Sequence, residues 1–150
     1  MSNRIVVASD HGGFELKKAI IAHLNKIGYE ANDLGAINAQ DSVDYPDFAI
    51  RVAEYVNNDE DNKGILICGT GIGMSIAANK IKGIRAALCH DEYTAEMAKR
   101  HNNANVLVLG GRVLTEEKGT AIVDKWLGSK FDGDRHMRRL EKIKAIEEIQ

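Results

Sequence analysis

The chain is short of proline: Pro46 is the only one in 150 residues, against 14 glycines. A loop-rich all-β protein or a linker would carry more proline, so the glycines are expected in tight turns between regular elements. Cysteine is scarce too. Cys68 and Cys89 are the only two, which excludes a disulfide framework, and both read as reduced thiols. Neither sign of charge dominates. Twenty Lys and Arg against 22 Asp and Glu leave a net charge of -2, which argues against nucleic-acid or membrane-surface binding of the kind that needs a basic excess. No apolar stretch reaches the ~20 residues of a membrane span, and the N-terminus carries no signal-peptide pattern. A cytoplasmic chain is expected. With 44% hydrophobic residues the composition is that of a folded body, and the length suits one domain over residues 1–150.

What is present is alternation. Arg4-Ile-Val-Val-Ala-Ser9, Gly64-Ile-Leu-Ile-Cys68, Ile84-Arg-Ala-Ala-Leu88 and Asn105-Val-Leu-Val-Leu109 read as buried strands, with a weaker one from Tyr29 to Leu34. Between them lie amphipathic helical patterns: Phe14 to Ile27 with Gly28 as its stop, Pro46 to Val56, about Ile72 to Lys80, and about Glu92 to His101. A further helix runs through Ala121, Ile122, Trp126 and Leu127. The last, from His136 to Gln150, has Met137, Leu140, Ile143, Ile146 and Ile149 on one stripe. Strand–helix alternation with continuously apolar strands predicts a three-layer α/β/α, Rossmann-like fold with a mostly parallel sheet of about five strands. Ligands of such folds bind beyond the carboxyl ends of the strands. That rule selects Asp10-His11-Gly12-Gly13, Cys68-Gly69-Thr70-Gly71-Ile72-Gly73, Cys89-His90-Asp91 and Gly110-Gly111-Arg112.

The turn Gly69 to Gly73 joins a buried strand to a helix, so its backbone can approach a ligand and its N–H groups can hold an anion or a developing oxyanion. It is not a dinucleotide fingerprint, since Met74 stands where the sixth-position glycine belongs, nor a P-loop, since the lysine is absent. The same glycines are compatible with close packing alone. Cys68 precedes this turn, where helix-start N–H donors favour a thiolate base or nucleophile; a buried structural cysteine is the plainer reading, and Cys89 is read as core. Asp10, His11 and His101 suit proton transfer near neutral pH, the alternatives being a helix cap for Asp10 and a polar residue at the helix C-terminus for His101. Arg135 and Arg139 share a helix face and could clamp one phosphate. No His, Cys or Asp pair has the spacing of a known metal motif.

Taken together, Ser9-Asp10-His11-Gly12-Gly13-Phe14, Asp44-Tyr45-Pro46, Ile67 to Lys80, Gly83-Ile84-Arg85-Ala86, His101-Asn102, Gly110 to Val113 and Arg135-His136 to Arg139 resemble the ribose-5-phosphate isomerase B family, which includes galactose-6-phosphate isomerase subunits. The resemblance spans nearly the whole chain in order. It implies aldose–ketose isomerisation of a phosphorylated sugar through an enediolate, with no metal or other cofactor. Cys68 is then the base; some members use a glutamate at the position of Met74. His101 is the ring-opening acid/base, with Asp10 at the ring oxygen or hydroxyls. Gly69, Thr70, Gly71, Ile72 and Gly73 stabilise the enediolate oxygens. His11, Arg112, Arg135 and Arg139 bind phosphate, and Tyr45 and Asn102 line the sugar pocket. The family shares each site across a homodimer interface, some members forming tetramers. Asp10, His11 and Cys68 would come from one subunit, with His101, Asn102, Arg112, Arg135 and Arg139 from its partner, and the C-terminal helix packs on that partner. A six-carbon substrate such as allose or galactose 6-phosphate is the alternative within this chemistry, and a non-catalytic nucleotide- or phosphometabolite-binding module the alternative outside it.

Overall fold

The computed structural model describes residues 3–150. Its centre is a five-stranded sheet, all pairings parallel, in the order β2-β1-β3-β5-β4. The strands are β1 (Arg4–Ser9), β2 (Glu30–Asp33), β3 (Lys63–Cys68), β4 (Ala86–Leu88) and β5 (Val106–Gly110). The helices are α1 (Phe14–Lys26), α2 (Tyr45–Val56), α3 (Ile72–Asn79), α4 (Glu92–Arg100), α5 (Glu116–Gly128) and α6 (Arg135–Ile149).

The period-2 pleat divides each central strand between two cores. Ile5, Val7, Ile65, Ile67, Leu107 and Leu109 pack with Leu16, Ile20, Ile122 and Trp126 of α1 and α5. Val6, Ala8, Leu66, Cys68, Val106 and Val108 face Phe48, Val52 and Met74 of α2 and α3. These strands are apolar throughout because both faces are covered, and each buried aliphatic side chain contributes about 1.5–3 kcal/mol. The edge strands differ. β2 is polar, and β4 is only three residues long and half-buried.

Local chemistry sets the element ends. Asp91 caps α4, its Oδ1 accepting from Thr94 N–H at 2.8 Å, and Thr115 caps α5 through Lys118 N–H at 3.1 Å. Pro46 occupies the first turn of α2. α4 ends one residue earlier than the sequence pattern suggests, leaving His101 as its C-cap. β4 also begins later than Ile84. The Arg85 N–H is taken by the Asn105 side-chain oxygen at 2.8 Å, so that residue is bonded outside the ladder.

Two consequences position the site. The chain winds from β1 outward to β2 and then back across β1 to β3, so the order reverses between β1 and β3. Parallel sheets open a crevice at such a point, beyond the carboxyl ends of the strands. Helices return antiparallel to the strands, so the end of α4 lies at the sheet's opposite, amino edge. There Asn105 O accepts from Gly64 N–H of β3 at 3.1 Å. α6 starts at this same edge and is tied at its far end by Lys82 Nζ to Glu148 at 3.0 Å and Gly83 N–H to Glu147 at 3.1 Å. Met137, Ile143, Ile146 and Ile149 of its predicted stripe remain exposed. Among the described residues no helix is long and apolar enough to cross a membrane.

Candidate active site in two halves

At the switch point, Asp10, His11, Cys68, the glycine turn and Arg112 converge. Cys68 ends β3, is 5% exposed, and accepts a hydrogen bond at Sγ from Gly71 N–H at 3.2 Å. That geometry requires Gly71. Its φ is +82°, and a Cβ there would lie 2.5 Å from Leu88 Cδ1. Ile72 N–H donates to Thr70 Oγ1 at 3.2 Å. Two of the turn's expected oxyanion donors are therefore engaged within the chain, whereas the Gly73 and Met74 N–H groups lie in the first turn of α3, where no intrahelical carbonyl accepts them. The Tyr45 ring fills the space left by the missing side chain of Gly73.

Asp10 is buried, and its Oδ1 accepts from Gly13 N–H at 3.1 Å, capping the short 3-10 turn His11–Gly13. The capping alternative is thus realised at Asp10, on a residue that still lies at the ligand edge. His11 Nδ1 accepts from Val43 N–H at 3.2 Å. The neutral ring then carries its proton at Nε2, a donor suited to an anion. Arg112 corrects the sequence expectation, which grouped it with the partner-borne residues. Its guanidinium lies over glycines of its own chain, close enough that a Cβ on Gly69 would be 3.0 Å from Nη1 and one on Gly12 would be 3.3 Å from Cζ. Arg112 N–H donates to Gly69 O at 2.9 Å, folding the chain after β5 back over the turn.

The second group lies at the sheet's amino edge. His101, Asn102, Arg135 and Arg139 gather around the end of α4 and the start of α6. His101 and His136 stack with ring centroids 4.1 Å apart and planes inclined by 11°. Asp132 Oδ2 stands 4.0 Å from His101 Nε2, and Oδ1 accepts from Arg100 Nε at 3.2 Å. That hydrogen bond holds the Asp132 carboxyl below the usual carboxylate range. Burial, helped by His101, Arg135 and Arg139, pushes the His136 ring below its ordinary value. Ligand atoms of His101, Asp132 and His136 all lie within 4.8 Å of one another. The nearly parallel rings, however, direct their in-plane lone pairs side by side rather than toward one ion.

The predicted residues thus fall into two sets that one chain does not bring together. β3 rises about 17 Å from Lys63 to Cys68, at roughly 3.3 Å per residue, and His101 stands at the Lys63 end. Asp132 and His136 were absent from the predicted site. Asp132 lies in a polar link without periodicity, while His136 was visible only as a neighbour of Arg135. Cys89 is excluded as a base, because burial pushes its thiol up to about 11.

Three cavities of about 620–760 Å³ do not include Cys68 or Arg112, though one is lined in part by Asn102. One, of about 620 Å³, runs along the β4 edge between Ala87, Tyr93, Met97, Ile143 and Ile146.

Residues 5–143 match the family model described as Ribose/Galactose Isomerase. Ribose-5-phosphate isomerase B of Escherichia coli (strain K12) is 48% identical over 145 residues, covering 97% of each chain. Among solved structures, ribose-5-phosphate isomerase B of Clostridium thermocellum superposes with a TM-score of 0.94 at 51% identity, covering 97% of this chain and 98% of that one. The Mycoplasma genitalium enzyme with bound ribulose-5-phosphate gives a TM-score of 0.94 at 47% identity, covering 98% and 97%.

Proposed function

This chain belongs to the ribose/galactose isomerase family, and from that premise we propose that it interconverts D-ribose 5-phosphate and D-ribulose 5-phosphate. The observation that carries the reading is the Cys68 thiol at the switch point, with the Gly71 N–H aimed at its sulfur at 3.2 Å. The sulfur is the group at that edge able to take a proton from carbon. Beside it stand a histidine whose Nδ1 is taken by Val43 N–H and an arginine, suited to a phosphate dianion.

A second copy of the chain completes the site. Cys68 and His101 lie at opposite edges of one sheet, so a sugar on Cys68 can meet only His101 of the partner subunit. The exposed apolar stripe of α6 and the cavity along the β4 edge support a homodimer interface there, because an uncovered apolar face beside an edge strand favours association. In a two-fold dimer both sites form identically.

His101 of the partner subunit gives a proton to the furanose ring oxygen as its bond to C1 breaks, the C1 hydroxyl releases its own proton to solvent to leave the aldehyde, and Asp10 orients the hydroxyls. Cys68 then takes the proton from C2. The charge that develops on the enediolate oxygens is met by N–H groups of the Gly69–Gly73 turn with Thr70. The same thiol returns the proton to C1, while a hydroxyl proton on O2 is exchanged for one on O1. Phosphate is held by His11 and Arg112 of one subunit with Arg135 and Arg139 of the other. Cys68→Ala tests the assignment. Ketose formation from ribose 5-phosphate should vanish while the sugar phosphate still binds, and unchanged turnover would refute Cys68 as the base.

A further inference from the structure

His101 is held on two sides. One face is covered by the His136 ring, itself only 6% exposed and therefore a fixed wall. At Nε2 stands Asp132, which is anchored independently of the histidine. Its backbone N–H donates to Arg100 O at 2.9 Å, its Oδ1 accepts from Arg100 Nε at 3.2 Å, and Arg100 Nη1 is braced by Glu96 Oε2 at 3.0 Å. The second oxygen, Oδ2, faces His101 Nε2 at 4.0 Å. That separation is an ion-pair distance rather than a hydrogen bond, and catalytic contacts of this kind tighten once substrate is bound. Nothing in the proposed reaction otherwise uses Asp132.

We infer that Asp132 is a positioning residue for ring opening: it fixes the His101 ring with Nε2 turned inward, so that Nδ1 meets the sugar. Of a histidine's two nitrogens, the one that reacts is set by the partner of the other. The stacked His136 prevents the ring from swinging away, and Arg100 keeps the carboxylate ionised and in place. Besides Arg100 and Glu96, which brace Asp132, Arg135 and Arg139 act on the His136 ring, and both are assigned to phosphate. The inference rests on the proposed ring-opening role of His101.

The two halves of the reaction can be measured separately. Ribose 5-phosphate is a ring and must be opened. Ribulose 5-phosphate cannot close a five- or six-membered ring onto its ketone, because its terminal oxygen carries the phosphate. Solvent deuterium therefore enters its C1 through Cys68 without ring opening. In Asp132→Asn, kcat on ribose 5-phosphate should fall about tenfold or more with little change in KM, a fraction of the ~10²–10⁴ that general acid–base catalysis supplies. Deuterium exchange into ribulose 5-phosphate, followed by proton NMR, should stay within about twofold of the parent. Asp132→Glu should recover part of the lost turnover, and Cys68→Ala should lose both activities.

Unchanged ribose 5-phosphate turnover in Asp132→Asn overturns the inference, and so does a parallel loss of turnover and exchange, which would mark a merely structural residue. His101→Ala separates this from the underlying reading. If His101→Ala splits the two activities and Asp132→Asn does not, only the positioning role fails. If His101→Ala does not split them, ring opening by His101 fails, and the role of Asp132 with it.

Discussion

Two inactive variants should restore activity in each other. Cys68→Ala removes the proposed base at the carboxyl edge, and His101→Ala removes the proposed acid at the amino edge. Along β3 these edges are about 17 Å apart, whereas C2 and the ring oxygen of one sugar are neighbours within a few ångströms, so a working pair of residues must come from two chains. A heterodimer of the variants then has one site carrying both substitutions and one carrying neither. Random re-association makes about half of the dimers hybrid, and half of the hybrid sites are intact, so an equimolar mixture should regain about a quarter of wild-type turnover. Each parent variant loses a group worth ~10²–10⁴ in rate, so the background stays far below that level. The variants carry different affinity tags, are mixed, cycled through mild denaturant and back, and assayed for ketose production from ribose 5-phosphate. Tandem purification isolates the hybrid, which should then show about half of wild-type activity per dimer. Isolated hybrid without activity would refute the shared site and return both residues to one chain.

Other outcomes follow from single residues. Native protein treated with iodoacetamide near pH 8 should be alkylated at Cys68 and lose activity, with protection by sugar phosphate. Cys89, pushed up to about 11 by burial, should react only after unfolding, and labelling of both thiols in the folded protein would contradict this. Gly71→Ala places a Cβ 2.5 Å from Leu88 Cδ1 and 3.1 Å from the Leu109 carbonyl carbon at φ +82°. Left-handed strain plus overpacking should cost about 2–4 kcal/mol, or roughly 6–12 °C in Tm at fixed protein concentration, and a Tm within about 2 °C of the parent would refute the packing account. His136 has its folded-state proton affinity lowered by burial and by nearby cations. The unfolded chain therefore binds the extra proton first, and stability contributed by this ring is lost as pH falls below about 6.5. Denaturant melts of His136→Gln should show a flatter decline between neutral and mildly acidic pH, and an unaltered slope would remove His136 from the acid sensitivity.

The layers were legible because the pleat writes them into the sequence. Ile5 and Val7 pack on α1 and α5 while Val6 and Ala8 pack toward α2 and α3, and a strand covered on both sides has no polar position to interrupt the run. Strand order was not legible. Periodicity records which faces are buried, not which strand is the neighbour, so the insertion of β5 between β3 and β4 left only a faint mark in the short, small Ala86–Leu88 segment. The limit of β4 depended on an Asn105 side chain twenty residues away, which no local window contains.

The site followed the same division. Asp10, His11, Cys68 and the glycine turn were readable because strand ends and glycines are local signals. Arg112 was assigned to the wrong half because the direction of the chain after Gly111 depends on a backbone bond to Gly69. Asp132 had no signal at all in a polar link.

The separation between the halves itself follows from the architecture. In a parallel sheet every strand delivers its last residue to one edge and every returning helix ends at the other. A residue at a strand's end and one at a helix's end are therefore kept apart by the length of the sheet. A chain that needs Cys68 and His101 on one sugar cannot bring them together by adjusting loops of a few residues. It can do so by presenting its amino edge to the carboxyl edge of a copy, and the two-fold symmetry that makes one such site makes the second. With the proposed roles of Cys68 and His101, assembly becomes a condition of the chemistry, and turnover per chain should decline on dilution below the dimer dissociation constant while the fold of each subunit persists.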